Sequence, residues 1–174
     1  MRTMRQHAAA RPVVMPEITR LSEDQWSALR EMRLLALRES PRMFLSTEER
    51  EKVWEQPDWE EEFKRGAWYF GRVSGEDIGL IGATREPNAP PDECYVEYMW
   101  ISPESRGQGM GEHMLTALLD TLRESGTRTA RLWVLDGNDT AVRLYERAGF
   151  RSTGEVQAIA TRPGRTEARM LLNL

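Results

Sequence analysis

Among 174 residues there is one cysteine, Cys94, and there are two histidines, His7 and His113, far apart in the chain. A lone thiol excludes an intrachain disulfide, and so few soft ligands leave no recognisable metal-ligand spacing, so no metal is expected. No stretch approaches the roughly 18 consecutive apolar residues needed to cross a bilayer, and the first fifteen residues hold no apolar run of the signal-peptide kind. No membrane partner and a cytoplasmic location are therefore expected. Surplus positive charge is also missing. The chain has 24 basic and 28 acidic residues, a formal charge of −4 and a pI near 5.4. That balance argues against nucleic acid as a partner. Lysine is nearly absent, Lys52 and Lys64 alone, which reads as the codon bias of a GC-rich genome and carries no functional weight.

What is present suits a single domain, because a 40% hydrophobic fraction over this length supports one core and little more. Residues 1–15 show no period and are expected to be a loose extension, leaving one domain over residues 16–174. Pro16 to Arg20 reads as a short first strand, and Ser22-Glu23-Asp24-Gln25 as a capping box that opens a helix. Trp26, Leu29, Met32, Leu35 and Ala36 then recur at steps of three and four, one buried stripe that ends at Ser40-Pro41. A second helical region, roughly 47–65, is expected to break near Pro57. It carries Glu48, Glu49, Glu51, Glu55, Asp58, Glu60, Glu61 and Glu62 against only Arg50, Lys52, Lys64 and Arg65. Beyond it, Trp68-Tyr69-Phe70 and Ile78 to Ala83 read as antiparallel strands about a Ser74-Gly75-Glu76-Asp77 turn. A third run, Cys94 to Ile101, follows a proline-rich loop, and the pattern then changes to strand, glycine loop, helix, strand, helix.

The glycine loop is Arg106-Gly107-Gln108-Gly109-Met110-Gly111, set between the strand ending at Ile101 and a helix with apolar positions Met110, Met114, Leu115, Leu118 and Leu122. Glycine lets a backbone approach a ligand closely, and first-turn N–H groups have no intrahelical acceptor, so the segment is suited to an anion, above all a phosphate. It lacks the Gly-Lys-Ser/Thr ending of a P-loop, and Glu112 stands where the dinucleotide fingerprint requires glycine. The same glycines also suit plain helix–sheet packing. Downstream, Asn138 is a preferred N-cap for a helix beginning at Asp139, and Tyr145 lies seven residues on, on the same helix face. Period two along the strand places Glu97 on one face with Met99 and Ile101.

Arg106 to Gly111 resembles the Arg/Gln-x-x-Gly-x-Gly/Ala loop of the GNAT family of acetyl-CoA-dependent N-acetyltransferases. The run Asn138-Asp139-Thr140-Ala141-Val142-Arg143-Leu144-Tyr145-Glu146-Arg147-Ala148-Gly149-Phe150 is similar to that family's second hallmark, and the resemblance spans Glu93 to Glu155. It implies an α/β fold (α+β in some schemes): a mixed, mostly antiparallel twisted sheet of about seven strands, helices on both faces, and a central parallel pair that splays apart. It implies acetyl-CoA as cosubstrate, its pyrophosphate on Arg106, Gly107, Gln108, Gly109, Met110 and Gly111. The pantetheine arm would lie along the main chain of Ile101 and meet Asn138.

By the same resemblance the N–H of Met99 donates to the reacting carbonyl oxygen, and Tyr145 sits at the thioester sulfur as general acid. A lysine-type amine has a pKa near 10.4, so its deprotonation at pH 7 costs about 4.6 kcal/mol. Glu97 is the candidate base for that step, with Glu93 a poorer alternative. The family's acceptor wall corresponds to residues 38–64 with Phe44, Trp54 and Trp59, whose acidic and aromatic content suits a small-molecule amine. The alternatives are acetylation of a protein N-terminus or lysine, and a non-catalytic acyl-CoA sensor. Dimerisation is common in the family, so a homodimer is a further implication.

Overall fold

The computed structural model describes residues 17–174; the expected extension over residues 1–15, and Pro16, lie outside the described residues. The first strand, β1 (Glu17–Arg20), leads to the Ser22 capping box, in which the Ser22 N–H donates to Oε1 of Gln25 at 2.9 Å. That box opens a single 3-10 turn, Glu23–Gln25, which runs straight into α1 (Trp26–Glu39). The break in the next helical region falls before Pro57 and not at it. α2 (Glu48–Glu51) is capped by the Thr47 hydroxyl, which accepts from the Arg50 N–H at 3.3 Å, and α3 (Gln56–Lys64) takes Pro57 into its first turn. A proline there removes no intrahelical hydrogen bond.

The remaining elements are β2 (Gly66–Val73), β3 (Glu76–Thr84), β4 (Glu93–Ile101), α4 (Met110–Glu124), β5 (Thr129–Leu135), α5 (Asp139–Arg147), β6 (Arg151–Ala158) and β7 (Thr166–Asn173). They form one seven-stranded sheet in the order β1-β2-β3-β4-β5-β7-β6. Every neighbouring pair is antiparallel except β4 and β5. The crossover through α4 makes that pair parallel, as a strand–helix–strand connection in one sheet requires. Two cores flank the sheet. Met114, Leu115, Leu118 and Leu119 of α4 pack with Tyr145 and Phe150 on one face, and Leu29, Ala36 and Leu37 of α1 pack with Phe63, Trp68 and Trp100 on the other.

Two irregularities of β4 position the site. The first is the end of its pairing with β5. The parallel ladder runs only from Glu93 opposite Thr129 to Tyr95 opposite Arg131, while β5 stays paired with β7 along its full length. The strands therefore part after Tyr95, and the edge of β4 from Val96 to Ile101 faces an open gap.

The second is a β-bulge. Gly82 of β3 pairs with Glu97 and Leu80 with Trp100, so Tyr98 and Met99 together oppose Ile81 alone. Tyr98 takes a φ of 58°, a conformation an aromatic residue adopts only under external constraint. The extra residue inverts the alternation of the strand. Cys94 and Val96 belong to the core under α4, whereas Tyr98 and Trp100 belong with α1 and α3, and Met99 and Ile101 return to the α4 side. The period-two expectation is corrected accordingly: Glu97 precedes the bulge and shares no face with Met99 and Ile101. Its carboxylate lies toward α3, 3.7 Å from the Arg65 guanidinium.

Candidate active site

The gap between β4 and β5 opens into a cleft of about 1160 Å³ that runs from the glycine loop, past Tyr145, to the segment joining α1 and α2. At the loop end, Gly107 and Gly109 have φ of 73° and 80°, left-handed values that glycine adopts without strain. Those two reversals turn the chain so that α4 starts at the cleft wall with Gly109 as its N-cap. Among the described residues, no carbonyl or side chain accepts from the N–H groups of residues 107–112; the first amide of this stretch to find an acceptor is His113, bonded to the Gly109 carbonyl at 3.0 Å. Six consecutive free donors at a helix N-terminus, with the helix dipole behind them, form a site for an anion. Gly107, Gly109, Met110 and Gly111 line the cleft. Gln108 is exposed, and its side-chain amide donates to the Glu104 carbonyl at 3.2 Å. Arg106, expected in the same set, is exposed and lines the same cleft; its Nε donates to the Ile101 carbonyl at 2.9 Å and a terminal nitrogen to the Ser40 hydroxyl at 2.8 Å.

In the middle of the cleft, Asn138 and Tyr145 lie on one face of α5, as their spacing predicts. The Asn138 side-chain oxygen caps the helix, accepting from the Ala141 N–H at 3.2 Å, which leaves its NH₂ group available to a ligand. Tyr145 is buried, its ring edge-on to Phe150 at 5.8 Å, and its hydroxyl has no hydrogen-bond partner among the described residues. Burial alone pushes the phenol up to about 12, so it is protonated at any physiological pH. Opposite stand Met99, displaced from the β3 ladder by the bulge, and Ile101 at the strand end.

The acceptor end is a chain of paired charges. The Arg33 guanidinium donates twice to Glu51, at 2.9 and 2.8 Å, in a pair almost closed to solvent, and stacks on the Tyr98 ring at 3.8 Å. The Tyr98 hydroxyl donates to Glu62 at 2.5 Å, and Glu62 also accepts from Arg65 at 3.0 and 2.9 Å. These contacts hold Tyr98 in its strained conformation and make the bulge rigid. Glu97 completes the chain. Burial raises its pKa, an effect that Glu62 reinforces and that Arg65 and the Thr84 hydroxyl oppose. With its side chain one-third exposed, Glu97 is a cleft carboxylate that is easier to protonate than an ordinary glutamate.

Several expectations are revised here. Glu93 is bound to Arg131 at 2.6 Å where β4 and β5 are still paired, so it is no base for this cleft. Trp59 does not wall the acceptor end: it is fully buried against Trp54, and Trp54 and Phe44 reach the cleft. Of the eight acidic residues of the second helical region, only Glu51 and Glu62 line the cleft, both already paired, and the rest form a charged outer face. Ser40, Arg33, Arg65 and Tyr98 were missed by sequence reasoning. Ser40 reads simply as a helix stop, and the others act through contacts that no local pattern encodes.

Comparison with known proteins places this geometry. A sequence model described as Acetyltransferase (GNAT) family matches residues 26–150. The N-acetyltransferase YycN of Bacillus subtilis is 32% identical over 91 residues, 52% of this chain and 58% of that protein. A mycothiol acetyltransferase of Thermobispora bispora is 32% identical over 133 residues, 74% of this chain and 42% of that protein. The chain thus spans less than two thirds of the length of the curated relatives it matches. Among solved structures, yncA of Salmonella typhimurium, determined with its cofactor acetyl-CoA, superposes with a TM-score of 0.73 at 15% identity, covering 91% of this chain and 94% of that one. A matching family model over most of the chain, on a sheet whose central parallel strands part beside unpartnered helix amides, means that the chain belongs to the GNAT acetyltransferase family.

Proposed function

We propose that the protein transfers an acetyl group from acetyl-CoA to a primary amine of a small molecule by direct attack, with both substrates bound together. The observation that carries this reading is the set of free amides from Gly107 to Glu112 at one end of a cleft whose middle is lined by the unpartnered Tyr145 hydroxyl. The free amides suit the CoA diphosphate, and the unpaired edge of β4 from Val96 to Ile101 offers main-chain groups to the pantetheine amides. The thioester supplies the electrophilic acetyl group and a thiolate that must leave.

The chain's own residues would work as follows. The bulge leaves Met99 without a partner in the β3 register, and its N–H would donate to the reacting carbonyl oxygen, a donor worth several kcal/mol when preorganised. The Asn138 NH₂ group orients the arm. Tyr145 holds its proton at the leaving sulfur. Glu97, directly or through water, accepts the proton of the incoming ammonium; its raised pKa moves it toward that task.

A small acceptor is favoured by a contact that crosses the acceptor end of the cleft. The Arg162 guanidinium, in the turn between β6 and β7, donates to the Pro41 carbonyl at 3.0 Å and so bridges the two segments that flank the acceptor end. Ile159 and Thr161 on one side and Phe44 on the other line the passage beneath. A folded protein surface needs a shallower groove. The similarity to mycothiol acetyltransferases points the same way.

Calorimetry with acetyl-CoA, ATP and NAD, followed by CoA release with polyamines, aminoglycosides, amino acids and peptides, tests the proposal. Binding of acetyl-CoA alone and turnover with a small amine are expected. Turnover only with peptides would move the acceptor to proteins. Binding without turnover, indifferent to Tyr145→Phe, would make the protein a sensor. A cytoplasmic location is part of the proposal and is checked by fractionation.

A further inference from the structure

Ser40 ends α1 and has no part in the chemistry above, yet its buried hydroxyl is where two distant donors meet. The Trp100 indole donates to it at 3.1 Å and the Arg106 guanidinium at 2.8 Å. Arg106 makes a second bond, from Nε to the Ile101 carbonyl at 2.9 Å. The guanidinium is therefore fixed at two points, the last residue of β4 and the end of α1.

The loop beyond it has little else to hold it. A side chain at Gly107 or Gly109 would meet nothing within 4 Å, and the side chain of Gln108 makes one exposed bond, to the Glu104 carbonyl at 3.2 Å. A segment with two left-handed glycines has wide conformational freedom. Its far end is anchored by the buried Met110 at the start of α4, and its near end by the Arg106 clamp.

We infer that Ser40 is a positioning residue for the diphosphate loop: by accepting from Arg106 it holds that side chain on the Ile101 carbonyl and so presets the amides of Gly107 to Glu112. Arg106 in turn serves the frame of the loop. The inference rests on the assignment of those amides to CoA. Ser40 also begins the segment that carries Phe44 to the cleft, so one hydroxyl joins the acceptor wall to the cosubstrate loop.

The test is a double-mutant cycle read by calorimetric CoA affinity on proteins shown to be folded by their melting curves. Ser40→Ala and Arg106→Ala should each weaken CoA about ten- to hundredfold, the worth of a hydrogen bond to a charged group. The double variant should be no weaker than the worse single one, because both remove the same clamp. Ser40→Thr, which keeps the hydroxyl, should restore most of the affinity. Pantetheine, which lacks the diphosphate, should compete equally well against acyl-CoA in wild type and in Ser40→Ala once the change in CoA affinity is included. Unchanged CoA affinity in Ser40→Ala, additive losses in the double variant, or equal weakening of pantetheine would each overturn the inference while leaving the CoA site standing. Failure of the wild-type protein to bind CoA would overturn the site and the inference together.

Discussion

Replacing Tyr145 by Phe removes one oxygen atom whose consequences can be worked out from its surroundings. The hydroxyl has no internal partner and the ring keeps its edge contact with Phe150, so the melting temperature and the affinity for CoA should stay as in wild type. The effect belongs to turnover. Burial holds the phenol at about 12, whereas a thiol of cysteine type lies near 8.5, so complete proton transfer to the leaving sulfur is uphill by roughly 3.5 units, or about 5 kcal/mol. On the proposed mechanism Tyr145 would therefore act chiefly by donating a hydrogen bond to the sulfur as charge develops on it. Such a bond to a charged acceptor is worth about 1.5–3 kcal/mol, which lowers kcat about 10- to 150-fold when lost. The assay is steady-state CoA release with the amine found by screening, with calorimetric CoA binding alongside. The wild-type kcat should also show no descending limb between pH 8 and 10, because a phenol held this high stays protonated there. An unchanged kcat would refute the role of the residue. A basic limb near pH 9 that vanishes in Tyr145→Phe would refute the argument from burial and restore full proton transfer.

Glu97→Gln should lower kcat/KM at pH 7 by about 10²- to 10³-fold, the usual worth of a positioned base. The wild-type profile should rise over an interval above the ordinary glutamate value of 4.5, the direction in which burial moves this carboxyl. The same shift has a stability consequence. A carboxyl whose folded pKa is raised favours the fold while protonated, and that contribution fades as pH climbs from the unfolded value through the folded one. Glu97→Gln should thus melt with wild type near pH 4 and above it at pH 8; a lower melting temperature at pH 8 would contradict the desolvation argument. Glu51→Gln leaves the Arg33 guanidinium buried without its counter-charge and should cost about 3–5 kcal/mol in denaturant unfolding; a loss below 1 kcal/mol would show that solvent reaches the pair. Cys94, buried and with its thiol raised to about 11 mainly by desolvation, should react with a disulfide reagent only on unfolding, and Cys94→Ser should retain turnover, as direct transfer requires no acyl-enzyme.

The parts of this molecule that were readable in advance are those written in local chemistry. The Ser22 box, the α1 stripe, the hairpin and the glycine loop each depend on residues a few positions apart, and the parallel pairing of β4 with β5 follows from the strand–helix–strand crossover between them. Glu97 shows where local pattern fails. Period two holds for a regular ladder, and nothing in Glu97-Tyr98-Met99 announces a bulge; the positive φ of Tyr98 is imposed by Glu62, Arg33 and Trp68, residues 30 to 65 positions earlier in the chain. The inverted face follows from those distant contacts, and so does the place of Met99 outside the β3 register. Arg106 illustrates the same limit from the other side. Its place in the motif suggests a hand on the phosphates, and the fold adds what the motif does not announce: the Ser40 hydroxyl at the end of α1 and the Ile101 carbonyl, which fix two of its nitrogens. Motif spacing thus locates the loop, while the partner that decides what each side chain does comes from a helix some 66 residues away.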